Sequence, residues 1–452
     1  MSYISPSNYL LSTSRDYAIY VCDSRGIPYV GDGLKHVQRM ALWMLRDHAG
    51  KIKTFALSGL LGASKIHCHG EKSSNDAIGL LAAPYRNNNP LIEGLGQFGS
   101  RIAPDRDGIG APRYTEVRRA RVAEAVLYND IDLVPLEDNY DGSTRQPMHF
   151  LPLIPTVLLN GVAGVAVGWS TEILPRSLKS LIDATRTALL GHPIQTIEPY
   201  YARYGTIQVR ATGKTNQWEL TGRATVTDTS TVRITELPPG IGIEEFRKRL
   251  DTMENADVIQ GYTDRSSDNI DITVRMKRGA IRDWKEADAQ DFFRLRDRLT
   301  ERIVTLDWGR DKIRVYASAG ELVSDFARWR LGWYTRRFEK LLADALQELP
   351  YWLALRQLFK IGFAGKLGTF SNRTAMQDDI LRLLDGMVKV DDSHIDRIVT
   401  LATYRWTEEF AAEVDGRIAK LNEAVTGYRE TLASPEKLRD VYIGELDALL
   451  KL

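Results

Sequence analysis

The first 150 positions alternate short apolar stretches with glycine and proline breaks, and the pattern predicts short helices joined by tight turns. Residues 9–25 read as a helix carrying Tyr9, Leu10, Tyr17, Ile19 and Tyr20, stopped by Gly26-Ile27-Pro28. Asp32-Gly33-Leu34-Lys35 opens a second helical stretch over Val37–Arg46. A third begins after Gly70, with Ala77, Ile78, Leu80 and Leu81 on its apolar side. Past Asp138-Asn-Tyr-Asp-Gly142 the texture changes: prolines at 147, 152 and 155 precede the glycine-punctuated apolar run Val157–Gly168. Gly205–Val209, Thr225–Thr235 and Ile270–Met276 alternate apolar and polar residues and read as strands, with a helix over Ile243–Met253. From Glu321 the chain turns helical and charged. Leu322, Phe326, Trp329 and Trp333 share one face, continued by Phe338, Leu341, Leu342 and Ala345, and Pro350 is expected to interrupt the helix. Val414, Ile418, Leu421, Val425, Tyr428 and Leu432 repeat at alternating steps of four and three, which fits a coiled-coil seam or an ordinary helical bundle.

Composition narrows the classes. At 452 residues, 43% hydrophobic and 26% charged, the chain has room for two or three globular domains. Two cysteines, Cys22 and Cys68, give no disulfide framework and no four-ligand zinc site, which fits a reducing compartment. The first residues lack the apolar core of a signal peptide, and no apolar run is long enough for a bilayer, so no membrane association is expected. The net charge of +1 argues against a simple basic coating protein, yet residues 31–125 carry 14 Lys/Arg against 9 Asp/Glu and four of the seven histidines. Short helices with a local basic excess fit a helix-turn-helix or winged-helix unit, with the glycine-rich segment 94–110 as the wing.

Chemistry concentrates around Tyr114. Arg113-Tyr114-Thr115-Glu116 closes the glycine-rich run that begins at Gly94-Leu-Gly-Gln-Phe-Gly-Ser100, and Arg118, Arg119 and Arg121 follow. A phenol has a pKa near ~10 and needs help to act as a nucleophile at neutral pH. Arg113 can make paired hydrogen bonds to a phosphate, and the following arginines can contact backbone phosphates. A tyrosine alone carries little signal among 19, and a packing or surface role is its alternative. His67-Cys-His69-Gly70 admits four readings: metal ligands without a completing carboxylate or thiol, a Cys68 nucleophile without the signature of a cysteine hydrolase, structural histidines, or anion contact at a helix start, which the residue types favour. The glycine run lacks the lysine-serine/threonine ending of a nucleotide loop, and no Asp-x-Asp cluster accompanies these motifs, so no magnesium site is expected within the chain.

Taken in order, these motifs resemble the DNA breakage-and-reunion component of type IIA topoisomerases, the family of the gyrase A-subunit and the topoisomerase IV C-subunit, and the short length is closest to its phage members. The resemblance rests on Tyr17-Ala18, Arg25-Gly-Ile-Pro28, Asp32-Gly-Leu-Lys35-His-Val-Gln-Arg39, His67-Cys-His69-Gly70, Gly94–Ser100, Arg113–Glu116, Asp138–Gly142, Pro155–Gly161, Gly164–Gly168 and Thr171-Glu-Ile173. It implies an α+β multidomain fold: an N-terminal helical arm at 1–30, a winged-helix breakage-reunion domain at 31–154 and an α/β tower at 155–320. A long antiparallel coiled coil at 321–452 would carry a small helical dimerisation gate at about 350–410. Tyr114 would form a 5′-phosphotyrosyl bond, with Arg113 stabilising the transition state and Arg25, His67 and His69 completing the site. Lys35, Arg39, Arg118 and Arg119 would contact DNA, and Ile173 would wedge between base pairs. ATP and Mg²⁺ would be bound by a partner large subunit, the chain itself would form a homodimer, and the setting would be the host cytoplasm. Gly31, Gln38, Cys68 and Lys72 depart from the family pattern; Lys72 stands at the serine used by fluoroquinolones and implies weak sensitivity to them. The chain's end at Leu452, with no DNA-wrapping domain after it, favours relaxation and decatenation over supercoiling. Two rivals are a recombinase-like tyrosine enzyme, which would place its tyrosine late in the chain, and a non-catalytic architectural coiled-coil dimer.

Overall fold

The computed structural model describes residues 5–104, 106–205 and 207–451. By packing, the chain divides into two units, Met1–Arg330 with Glu445–Leu452, and Leu331–Gly444.

The first unit begins with α1 (Pro6–Val21), capped by Ser5, whose hydroxyl accepts from the Asn8 amide at 3.2 Å. A five-residue π-turn, Cys22–Gly26, ends it. α2 (His36–Leu45) follows, then β1 (Ile52–Lys53), α3 (Thr54–Ala63) and α4 (Glu71–Ala82), and the three helices pack together. Ser58 and Ser74 hydroxyls meet at 2.6 Å between α3 and α4, a close approach that only small side chains allow. α3 had no amphipathic signature in the sequence, because Thr54–Ala63 is apolar nearly all round and broken by Gly59 and Gly62.

β2 (Ile92–Leu95) and β1 flank β3 (Glu116–Arg119) in a three-stranded antiparallel sheet, with Val117 opposite both Ile52 and Gly94. The glycine-rich segment between β2 and β3 folds back on itself: Gly99 donates to the Gly108 carbonyl at 3.0 Å and Gly110 to that of Gln97 at 2.9 Å. A side chain on Gly108 would collide with the Ala103 carbonyl, which explains the glycine there. α5 (Arg121–Leu127), the β4–β5 hairpin (Leu136–Asp138, Arg145–Pro147) and a single helical turn α6 (Thr156–Leu159) lead to the β6–β7 hairpin (Val162–Ala166, Trp169–Ile173).

Beyond α7 (Leu178–Leu189) lie β8 (Gln208–Ala211), β9 (Gln217–Thr221), β10 (Arg223–Val226) and β11 (Thr231–Glu236), then α8 (Ile243–Asn255), β12 (Gly261–Asp264), β13 (Ile272–Arg275), α9 (Glu286–Phe292) and β14 (Arg296–Thr300). The sheet β10-β11-β13-β12 buries Val232, Ile234, Ile272 and Val274 with Phe246 and Leu250 of α8. The expected single strand Thr225–Thr235 is two strands: the Asp228 carboxylate accepts from the Ser230 amide at 2.7 Å and turns the chain between them. The expected strand Gly205–Val209 starts only at Gln208 and runs to Ala211. β14-β9-β8 form a second sheet, and β15 (Ile303–Leu306) pairs with β16 (Ile313–Tyr316).

α10 (Ala319–Lys360) is one helix of 42 residues, and Pro350 lies inside it, so the expected interruption is absent. Tyr351, Ala354, Leu355 and Leu358 pack into one core with α11 (Arg373–Leu384), α12 (Asp392–Val399) and α13 (Glu408–Ala433), and this burial outweighs the lost backbone hydrogen bond. Pro350→Ala is therefore expected to raise the stability of this unit by up to about 3 kcal/mol, read as a higher melting temperature of the full chain. An unchanged melting temperature would mean the helix is already shaped around the ring.

The Phe338 ring lies 5.8 Å from Tyr428 and the Trp352 ring 6.4 Å from Phe410, so α10 and α13 run antiparallel. Val414, Ile418 and Val425 of the predicted seam are buried, whereas Leu341 is exposed. Ser434 ends α13, and α14 (Pro435–Leu449) starts afresh at the proline.

Candidate active site and nucleic-acid interface

Tyr114 stands at the lip of β3. Its amide donates to Ala111 at 2.9 Å, and the next residue is locked: the Thr115 and Thr54 hydroxyls meet at 2.8 Å, and the Thr54 amide donates to the Thr115 carbonyl at 3.1 Å. The phenol itself is 74% exposed, and the Arg113 guanidinium lies 5.4 Å from the ring centre. A rigid backbone thus carries a free hydroxyl with a cation beside it. Glu116, two residues on, is drawn below the usual carboxylate range by hydrogen bonds from Lys51 and then Lys53, at 3.0 and 3.3 Å.

A groove of about 1170 Å³ opens elsewhere in the same unit, and Tyr114 does not line it. Arg25, Lys35, His69, Lys72, Arg86 and Arg106 line it against the acids Asp76 and Glu172, which makes it cationic. Arg25 is exposed at the end of the π-turn. Two residues before it, Asp23 takes 2.7 and 3.2 Å hydrogen bonds from Arg310, which also holds Glu137 and donates to the Met148 carbonyl. Lys35 donates from Nζ to the Ala163 carbonyl at 2.9 Å; burial, with Arg86 adding to it, pulls its pKa below the ordinary lysine value. Gly26 and Gly164 touch there, and a side chain on Gly164 would land on the Gly26 carbonyl. Arg86 and Arg106 went unremarked in the sequence, although Arg106 sits within the glycine-rich segment.

His67 is 6% exposed and His69 is exposed, their rings 5.5 Å apart and edge to face. Burial, then the neighbouring His69, hold His67 below the ordinary histidine value, so it is neutral at pH 7. Its Nε2 has no hydrogen-bond partner among the described residues. His36, next to Lys35, is pushed down to about 4, mainly by burial.

Four residues expected to meet DNA sit in settings that the sequence does not show. Arg39, expected at the DNA surface, is buried. Only 1% exposed, it donates to both Asp32 oxygens at 2.7 and 2.9 Å and to the Leu34 carbonyl at 3.0 Å, so its guanidinium is engaged inside the protein. Ile173 is 3% exposed rather than presented as a wedge. The neighbouring Glu172 exchanges backbone bonds with Arg302 at 3.0 and 2.9 Å, and the Leu174 amide is held by Glu301 at 2.9 Å. Glu301 in turn binds Arg176 and the Trp218 indole, so the segment is fixed inward. The hairpin's exposed apolar residues are instead Val165, at 82%, with Val167 and Trp169. Arg118 is exposed but already bidentate to Glu93 at 2.9 and 2.6 Å, and Arg119 is half-buried against the Arg46 carbonyl and Glu124.

Among the described residues no three His, Cys, Asp or Glu side chains converge on a point that could hold a metal ion. No helix among them is long and apolar enough to cross a membrane.

The first unit thus carries a rigidly mounted exposed tyrosine, a cationic groove and a paired-histidine turn. The chain belongs to the family of the A-subunits of DNA gyrase and topoisomerase IV, whose sequence model matches residues 25–447; these are the DNA-cleaving subunits of type IIA topoisomerases. The DNA topoisomerase medium subunit of Enterobacteria phage T4 is 28% identical over 436 residues, covering 92% of this chain and 95% of that one. The DNA gyrase A-subunit of Granulibacter bethesdensis is 31% identical over 344 residues, 70% of this chain but only 36% of its own. In fold, the chain is similar to the crystal structure of the Plasmodium falciparum topoisomerase II DNA-binding, cleavage and re-ligation domain, with a TM-score of 0.84 and 22% identity over 98% of this chain and 64% of that one.

Proposed function

We propose that Tyr114 cuts duplex DNA by transesterification. The phenolic oxygen attacks a backbone phosphorus, the bond to the 3′ oxygen breaks, and the phosphate stays on the tyrosine as a 5′-phosphotyrosyl ester. The phenol loses its proton and the departing 3′ oxygen gains one; resealing runs the same exchange backwards, so one ester replaces another without loss of bond energy. Arg113 stabilises the charge that builds on the phosphate. Lys35 holds the duplex in the groove, and Arg25 and His69 complete the cleavage site there, with His67 behind them. The observation that carries this reading is the exposure of the Tyr114 hydroxyl on a locked turn beside Arg113.

Residues 31–154 then act as a winged-helix breakage domain, 155–320 as a tower and 321–452 as a coiled coil. A dimerising gate near 350–410 is supported by the exposed Leu381, Met387 and Tyr404. ATP and Mg²⁺ would be held by a large partner subunit, a reading that membership of the family supports, and two copies of the chain let one duplex pass through another. The setting is the host cytoplasm.

The test is trapping: this chain with a large topoisomerase subunit, Mg²⁺ and end-labelled duplex, quenched with detergent. Protein covalently held on 5′ ends is expected. Intact DNA binding with no covalent product would instead mark an architectural protein, and attachment to 3′ ends a different tyrosine chemistry.

A further inference from the structure

The turn Asp138–Gly142 takes no part in the chemistry above, yet it is fastened to the histidine turn. Asn139 is buried, and its Nδ2 donates to the Lys65 carbonyl at 2.8 Å. Asn139 is itself held rigid: its amide donates to the Thr144 carbonyl at 2.9 Å and its Oδ1 accepts from the Thr144 amide at 3.3 Å. The Lys65 ammonium sits 3.3 Å from the Ser143 hydroxyl and 3.7 Å from the Asp141 carboxylate. Backbone and side chain of one residue are therefore gripped by one turn.

Lys65 is where such a grip matters. Its φ of 56° is left-handed, a conformation that costs a residue with a Cβ about 1 kcal/mol or more. It closes α3, with the Lys65 amide donating to Gly62 at 3.0 Å and the Ile66 amide to Leu61 at 3.2 Å, and it sets the direction in which the chain leaves toward His67. The His67 Nε2 has no partner among the described residues to fix the ring from its far side. Orientation must come from the chain.

We propose that Asn139 is a positioning residue for the His67–His69 pair: it holds Lys65 left-handed and so aims His69 into the groove. The inference rests on the reading of these histidines as part of the cleavage site.

The test compares wild type, Asn139→Ala, Asn139→Asp and the double variant Asn139→Ala/Lys65→Gly, each with the large subunit, Mg²⁺ and labelled duplex. Misplacing the pair is expected to slow covalent cleavage roughly 10–100-fold with duplex affinity within about twofold. Asn139→Asp keeps the acceptor for Thr144 but sets a carboxylate against the Lys65 carbonyl, and it should be at least as slow. Glycine takes a left-handed φ without penalty, so the double variant should recover about tenfold of a hundredfold loss. Recovery separates positioning from general damage, which would lower melting temperature and affinity together and would not be relieved at residue 65. Cys68, exposed between the two histidines while Cys22 is buried, reports the same geometry without DNA. Its maleimide labelling rate should change severalfold in Asn139→Ala and return toward wild type in the double variant. Wild-type cleavage and labelling in Asn139→Ala, or a double variant as slow as the single one, would overturn the proposal. Absence of cleavage in the wild type, with the labelling pattern as expected, would overturn the reading of the site and leave Asn139 a positioner of a turn with another use.

Discussion

Tyr114→Phe leaves the melting temperature and duplex affinity of the chain where they were and lowers covalent DNA attachment by more than about 10⁴-fold. The two halves of this expectation come from different parts of the structure. Stability is untouched because the ring is 74% exposed and its hydroxyl makes no hydrogen bond that the turn depends on; the turn is held by Ala111, Thr54 and Thr115. Affinity is untouched because Tyr114 does not line the cationic groove. Only the attacking oxygen is lost, and nothing replaces it, since an ester cannot form without a nucleophile. Gel retardation, thermal unfolding and detergent trapping on one preparation check all three. Residual covalent product at a tenth of the wild-type rate would move the nucleophile to another tyrosine.

Arg39→Met is expected to cost about 3–5 kcal/mol of folding stability and to lower the melting temperature by roughly 5–10 °C. The variant keeps the bulk of the side chain but abandons Asp32, a fully buried carboxylate, with only the Leu34 and Phe150 amides at 3.1 and 3.0 Å to face it. An ion left in a low-dielectric interior without its counter-ion is among the costliest single changes. The loss should be relieved in large part by Asp32→Asn in the Arg39→Met background, which removes the orphaned charge. A variant with wild-type stability and a large drop in duplex affinity would restore Arg39 to the DNA surface.

That contrast shows how far sequence carries. Ordered motifs were enough to show the family, because glycine turns and a cation-flanked tyrosine leave residue-level marks. α2 and α4 were legible from breaks and apolar period; α3 was not, since a helix apolar on every side has no period to read. Pro350 misleads for the opposite reason: proline penalises a helix locally, and the core of Tyr351, Ala354, Leu355 and Leu358 that overrides it is assembled from distant residues. Arg39 and Lys35 share one basic motif four residues apart. Which of them reaches the groove depends on Asp32 folding back onto Arg39, and residue type alone says nothing of that. Ile173 was drawn inward by Glu301 and Arg302, more than a hundred positions away.

The paired arginines also bear on how binding responds to salt. Each phosphate taken by a free surface cation releases condensed counter-ions, and affinity falls steeply as salt rises. Arg118 already carries its own anion in Glu93, and Arg119 has Glu124 beside it. A phosphate arriving there displaces a carboxylate of the protein rather than giving up an ion to solution on the protein's behalf. Such an exchange gains less Coulomb energy than a bare cation would, and it grips only where the strand's geometry outcompetes the carboxylate. Basic residues counted along the chain therefore overstate the non-specific pull of this surface, which favours a protein that can let go of one duplex and sample the next.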